Sequence, residues 1–220
     1  MIVGDSITDG RGSDTDANNR WPDLLFNRMQ ASASPAIRSI SYGNIAAGGT
    51  GLLDDGNGPN ALSRFTRDVA ARSGVKYVMI FEGVNDIGTA SNDSTSQAIV
   101  GEQIVFVFQQ MIARSHAMGV PMLGATITPF RAPNNTIQAY SDPTREQTRQ
   151  TVNSWIRTPG HFDGVVVFDA VARDPEIKSQ LQPEYNSVDY LHPNVLGYEA
   201  MASAFPLEVF EEFSGGVSFW

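Results

Sequence analysis

The segment Gly4-Asp5-Ser6-Ile7-Thr8-Asp9-Gly10 sets one hydroxyl among glycines directly after the apolar run Met1-Ile2-Val3. That run reads as a strand, and a serine at its end stands at the edge of a sheet where ligands are met. The glycines let the backbone turn sharply and be approached closely, so Ser6 is placed as a nucleophile. A serine hydroxyl is weak at neutral pH. It needs an imidazole to take its proton and a further group to hold that imidazole in the correct tautomer. Of three histidines, His192 is the one arranged for this: in Asp189-Tyr190-Leu191-His192-Pro193 a carboxylate stands three residues before the ring, on a loop feeding a helix. Asp189 can curl back onto the Nδ1 proton and stabilise the imidazolium. His116 precedes Gly119 at a helix end, where it suits the dipole and solvent, and His161 lies in a turn bounded by glycine and proline.

The oxyanion of a tetrahedral intermediate also needs donors, and losing one typically lowers the rate by about 100-fold or more. Two further strand ends offer them. Asn44-Ile45-Ala46-Ala47-Gly48-Gly49-Thr50-Gly51 carries glycine amides that a ligand can approach without side-chain obstruction, and Gly83-Val84-Asn85-Asp86 brings a side-chain amide to the same edge.

These residues require a scaffold that brings strand ends together. Short apolar or β-branched runs recur at Met1 to Val3, Ile37 to Tyr42, Val75 to Phe81, Val120 to Ile127 and Val165 to Phe168, with helix-length stretches between them. Alternation of this kind predicts an α/β fold, a three-layer α/β/α sandwich around a parallel sheet of about five strands. Helix signals fill the gaps: Trp21, Pro22, Leu25 and Met29; Leu62, Phe65 and Val69; Ile104, Phe108, Met111 and Ile112. Asp142-Pro143 reads as a cap and first turn, and His192-Pro193 as the opening of a last helix that Pro206 ends or kinks. The stretches Gly48 to Gly58 and Pro129 to Pro143 read as surface loops that carry function.

Length and charge limit the functions. At 220 residues the chain suits one domain, residues 1–220, with a core large enough to stand without disulfides. It has 24 acidic against 15 basic residues, a formal net charge of -9, which disfavours nucleic acid and anionic surfaces. With no cysteine there is neither disulfide nor thiolate chemistry, and no apolar run approaches the roughly 20 residues of a membrane span. The expected partner is a small-molecule or polysaccharide ester, with no nucleic acid and no membrane insertion; oligomeric state is left open.

In order, Gly4-Asp5-Ser6, Gly49, Gly83-Val84-Asn85-Asp86 and Asp189-Tyr190-Leu191-His192 resemble the four blocks that define SGNH (GDSL-like) hydrolases. The resemblance covers nearly the whole chain and implies a flavodoxin-like sandwich. It implies Ser6 as nucleophile, His192 as base and then acid, and Asp189 as orienter. The oxyanion hole would comprise the Ser6 amide, the Gly49 amide and the Asn85 side chain, with no metal and no cofactor. The wording of Asn18 to Leu24, Phe81 to Gly88 and Gly124 to Phe130 is similar to the branch related to xylan esterases, whose members often are exported and act on acylated polysaccharides. Relatives usually carry several more residues before the first block, so an upstream segment, a signal among the possibilities, is expected to be missing. Ala46 and Thr50 stand where this branch commonly has glycine and asparagine.

Other readings stand beside these. Asp5, Asp9 and Asp86 with His192 would make a hard-metal site, although acidic residues at loop starts more often cap helices or turns. Asp86 is read equally as a capping carboxylate or as a direct participant. Trp21 and Trp155 are read as core, while Phe130, Tyr140 and Tyr185 are candidates for substrate contact. Removal of short acyl groups, acetyl foremost, from carbohydrate is the leading expectation; the alternatives are a thioesterase or lysophospholipase on the same scaffold, and a carbohydrate-binding protein with a degenerate site.

Overall fold

In a computed structural model, residues 1–218 are described. Four parallel strands, β1 (Ile2–Gly4), β2 (Val78–Phe81), β3 (Met122–Ala125) and β4 (Gly164–Val166), lie side by side in that order. Ile2 stands opposite Met79, Val78 opposite Met122 and Leu123 opposite Gly164. β1, β2 and β3 are buried along their whole length, as continuous apolar runs in a parallel sheet require.

The fifth expected strand, over Ile37 to Tyr42, is absent. Pro35–Arg38 is instead a helical turn, and the chain reaches the free edge of β1 only later, with Asn44 bridging Ile2 in parallel. Ile2 donates to Gly43 O, Ile45 to Ile2 O and Ala47 to Gly4 O, all at 2.9–3.0 Å. Pro35 explains the shift, because it starts a helix readily and cannot donate to a ladder. Tyr42, between Ser41 and Gly43, packs instead against Phe26 of the helix that precedes this turn. The chain thus runs from β1 outward to Asn44 and back across to β2. That reversal is the topological switch point at which open α/β sheets bind ligands, and Ser6 stands beside it.

The helices form two packed groups. One comprises α2 (Trp21–Gln30), α3 (Pro35–Arg38), α8 (Phe168–Ala172), α9 (Val195–Ala204) and α10 (Val209–Glu212); the other comprises α4 (Ala61–Phe65), α5 (Val84–Thr89), α6 (Ser94–His116) and α7 (Pro143–Arg157). The first turn after β1 is α1 (Ser6–Asp9). α2 turns Trp21, Leu25 and Met29, four residues apart, into the core, where the Trp21 ring meets Phe168 edge-on. α6 buries Val100, Ile104, Val107, Phe108 and Met111 on one face and is capped by Asp93, which accepts the Ser96 amide at 2.9 Å. Asp142 caps α7 through the Thr144 amide at 2.8 Å.

The helix expected to open at His192-Pro193, α9, begins two residues later than its proline indicated, and a further turn, α10, follows it. Asn194 is the cap of α9, accepting from Gly197 N at 3.1 Å, so His192 and Pro193 lie in the loop before it. α9 ends at Ala204, just ahead of Pro206. Among the described residues no helix is long and apolar enough to cross a membrane.

Candidate active site

Each candidate side chain leaves the carboxyl edge of a strand or the loop that closes over it. Asp5 caps α1, its Oδ1 accepting the Ile7 amide at 2.8 Å, and so sets Ser6 as the first helical residue. The turn is tight because Gly4 lacks a side chain: a β-carbon there would stand 2.5 Å from Thr8. Ser6 is 9% exposed.

His192, 3% exposed, comes from the loop before α9, and its Nε2 stands 2.8 Å from Ser6 Oγ. Its Nδ1 stands 2.6 Å from Asp189 Oδ2. With Nδ1–H donating to a carboxylate, Nε2 is the acceptor that faces the serine hydroxyl. Asp189 Oδ1 accepts the amides of Leu191 and His192 at 2.9 Å each. Burial alone would raise this carboxyl, but the His192 ring and the two amides outweigh it and hold Asp189 at about 2. Asp189 is flanked by two residues in the left-handed region, Val188 at φ +83° and Tyr190 at φ +60°. The loop keeps this strained path because its neck is closed: Asn186 bridges Pro193, and Ser187 donates to His192 O at 3.0 Å.

The second loop passes directly alongside. A β-carbon on Gly48 would be 3.9 Å from that of Ser6, so this glycine borders the hydroxyl. Gly49 adopts φ +75°, and a β-carbon there would collide with the Asn57 side chain at 2.3 Å. Among the described residues neither the Ser6 nor the Gly49 amide has a protein acceptor. Asn85 Nδ2 donates to Thr50 O at 2.8 Å, which ties the side-chain amide to the same loop and leaves its second hydrogen free of that bond.

Asp86 is a capping carboxylate for this loop, accepting from Leu52 N at 2.9 Å and Leu53 N at 3.0 Å. Burial drives it upward against those two amides. Asp5 and Asp86 thus have backbone partners, and among the described residues no group of three or more His, Asp or Glu side chains is arranged to hold a metal. The other histidines stay apart from Ser6. His116 pairs with Asp163 Oδ2 at 2.8 Å at the opposite edge of the sheet, and His161 Nδ1 meets Trp155 O at 2.8 Å with its ring stacked on the indole.

Two contacts at the site carry no signal in the spacing. Tyr140 donates its hydroxyl to Asn85 Oδ1 at 3.2 Å, and Gln138 donates to Asp189 O at 2.8 Å, so the segment before α7 folds over both halves of the site. Of the aromatic residues expected to meet substrate, Phe130 is instead core at 1% exposure, packed edge-on against Tyr140. Tyr185 is half-buried and uses its carbonyl to accept Asn194 N at 2.7 Å.

Solved structures with this architecture include an acetyl xylan esterase from Geobacillus stearothermophilus, a variant of Axe2. It is 21% identical, with a TM-score of 0.66 over 94% of this chain and 92% of that one. A GDSL-like lipase from Bacteroides thetaiotaomicron is 18% identical, with a TM-score of 0.65 over 96% and 87%. LAE5, an alpha/beta hydrolase from the metagenome of Lake Arreo, is 21% identical, with a TM-score of 0.62 over 93% and 91%. No curated protein matches the sequence. At these identities the likeness is one of fold. The sequence itself, from residue 2 to residue 200, matches the GDSL-like Lipase/Acylhydrolase family model, and the chain belongs to that family.

Proposed function

We propose that the protein is a serine carboxylic ester hydrolase that removes short acyl groups, acetyl foremost, from carbohydrate or related small esters. The observation that carries this reading is the continuous relay Ser6 Oγ, His192 Nε2, His192 Nδ1, Asp189 Oδ2, with contacts of 2.8 and 2.6 Å. Ser6 Oγ attacks the ester carbonyl as its proton passes to His192 Nε2. The imidazolium is stabilised by Asp189, which at about 2 remains ionised through the neutral range. The carbonyl oxygen, now negative, takes the Ser6 amide, the Gly49 amide and the remaining hydrogen of Asn85 Nδ2. His192 then gives its proton to the departing alcohol. Water, activated by the same ring, hydrolyses the acyl-serine and restores Ser6.

The short acyl group is supported by the fold, which is shared with an acetyl xylan esterase. The cavity of about 700 Å³ lined by Met1, Met29, Tyr77 and Phe210 and the groove of about 450 Å³ between α6 and α7 both lie away from Ser6 and His192.

Hydrolysis of p-nitrophenyl acetate, butyrate and decanoate by the parent and by Ser6→Ala, with and without chelator, tests the proposal. The expected result is chelator-resistant turnover that falls with chain length and drops by about 10⁴-fold or more in Ser6→Ala. Turnover that rises with chain length would replace the acetyl reading with the thioesterase or lysophospholipase one. Activity retained in Ser6→Ala would overturn the serine mechanism.

A further inference from the structure

Beneath Ser6 lies a buried ion pair that the proposed chemistry does not use. Arg64 of α4 is 5% exposed and Glu82, the residue after β2, is 1% exposed; Arg64 Nη2 meets Glu82 Oε1 at 3.3 Å. As a source of stability the pair is poor. Two desolvated charges at that distance recover little unless every remaining polar atom is satisfied, and here Arg64 Nε and Glu82 Oε2 are buried without a partner. Glu82 faces two more carboxylates: burial, then Asp5 and Asp86, push it well above the usual range, while Arg64 and the Thr50 hydroxyl pull it down.

What the pair does have is reach into both halves of the site. Arg64 Nη1 donates to Ile45 O, and Nη2 donates to Gly4 O at 3.3 Å, so one planar guanidinium bonds the loop that carries Gly49 and the strand end that carries Ser6. Glu82 Oε1 stands 3.2 Å from the Thr50 hydroxyl, at the far end of the same loop, and that hydroxyl also reaches Ala47 O at 2.8 Å. The segment from Ile45 to Thr50 is therefore held at both ends to one buried point, and that point is bonded to the backbone two residues before the nucleophile.

We propose that Arg64 and Glu82 are positioning residues for the reaction, setting the Gly49 amide at its distance from Ser6 and so the stabilisation of the oxyanion. This rests on the serine hydrolase reading above. Neither residue touches the reacting atoms; each acts through the loop. A misplacement of about 1 Å in such a frame can lower turnover by about 100-fold.

The test compares the parent, Ser6→Ala, Arg64→Met, Glu82→Gln and the double variant Arg64→Met/Glu82→Gln, measuring kcat and KM for p-nitrophenyl acetate, the thermal midpoint, and inhibition by phenylboronic acid, whose tetrahedral serine adduct uses the same oxyanion donors. Arg64→Met alone strands a buried carboxyl and is expected to lower the midpoint. The double variant removes both charges and is expected to regain most of that loss. Positioning predicts that kcat nevertheless stays about 100-fold down in the double variant, with KM within about twofold and boronate affinity reduced in step with kcat. Recovery of kcat together with the midpoint would overturn it and leave the pair a structural charge balance. If Ser6→Ala abolishes turnover while the double variant works at the parent rate, the hydrolase reading stands and the positioning proposal falls; if Ser6→Ala keeps turnover, both fall.

Discussion

Asp189 and Asp86 each accept hydrogen bonds from two consecutive backbone amides, yet their carboxyls are driven in opposite directions. Asp189 takes Leu191 and His192 and sits at about 2; Asp86 takes Leu52 and Leu53 and is raised. The difference lies in what else surrounds them. The Asp189 side chain remains 30% exposed and has the imidazole as a third donor. Asp86 is 7% exposed and belongs to a carboxylate group that includes Asp5, raised to about 7 by burial first and the nearby Asp86 second. One region gathers donors around a single charge, and the other crowds charges together out of water. Hydrogen bonds to a carboxylate therefore do not by themselves set its proton affinity; the desolvation they must overcome decides the sign.

The two regions also give opposite pH dependence. The largest effect is expected from Asp189→Asn, which keeps an oxygen acceptor but no longer enforces the right tautomer of His192, and should lower kcat by about 10⁴-fold. Because the folded Asp189 carboxyl lies below its ordinary 3.8, its contribution to stability is complete above about pH 4 and is lost as pH falls toward 2. The urea midpoint of Asp189→Asn should accordingly change less than that of the parent between pH 4 and pH 2. An asparagine variant with near-parental turnover would remove Asp189 from the proposed mechanism.

Asp5→Asn sharpens the other half. Asparagine retains the acceptor for the Ile7 amide and so keeps the cap. The parent carboxyl, raised from 3.8 to about 7, binds its proton more tightly when folded, so the stability it contributes is present below about pH 4 and is lost as pH climbs through 7. Asp5→Asn should gain on the parent in urea midpoint at pH 8 relative to pH 4.5. A gap that does not widen would refute burial as the cause.

The smallest effect concerns the strain beside Asp189. Val188 is 85% exposed at φ +83°, a conformation that a β-branched side chain resists. Val188→Gly relieves that strain while adding freedom to the unfolded chain, so a net gain of about 1 kcal/mol or less is expected in thermal unfolding. A loss of stability would mean that the strain relieved is smaller than the freedom added to the unfolded chain.

What could be read along the chain was what short range decides. Asp189 and His192 are three residues apart, and a single turn suffices to bring a carboxylate onto Nδ1. Ser6 follows an apolar run that has no alternative but to be a strand. The cap at Asp142 and the apolar stripes of α2 and α6 depend on neighbours within one or two turns, so their elements were legible too.

Where the reading departed from the structure, a distant partner or a local competitor intervened. Pro35 turned an expected strand into α3 and left the sheet with four strands and a single bridge at Asn44. Asn194 outcompeted the earlier residues as cap of α9, and Phe130 went into the core although its segment reads as a loop.

By itself the sequence determined the parallel α/β order, the helix faces and the residue types at each strand end, because these follow from periodicity and from contacts a few residues long. Only the tertiary structure decided that Tyr140 reaches Asn85, that Asn57 backs onto Gly49, and that Arg64 spans Gly4, Ile45 and Glu82. Those partners are 18 to 60 residues apart for Arg64 and Glu82 or Gly4. Spacing carries no information at that range; the sheet brings strand ends together from separate parts of the chain, and the polar groups pair with whatever the packing then places beside them.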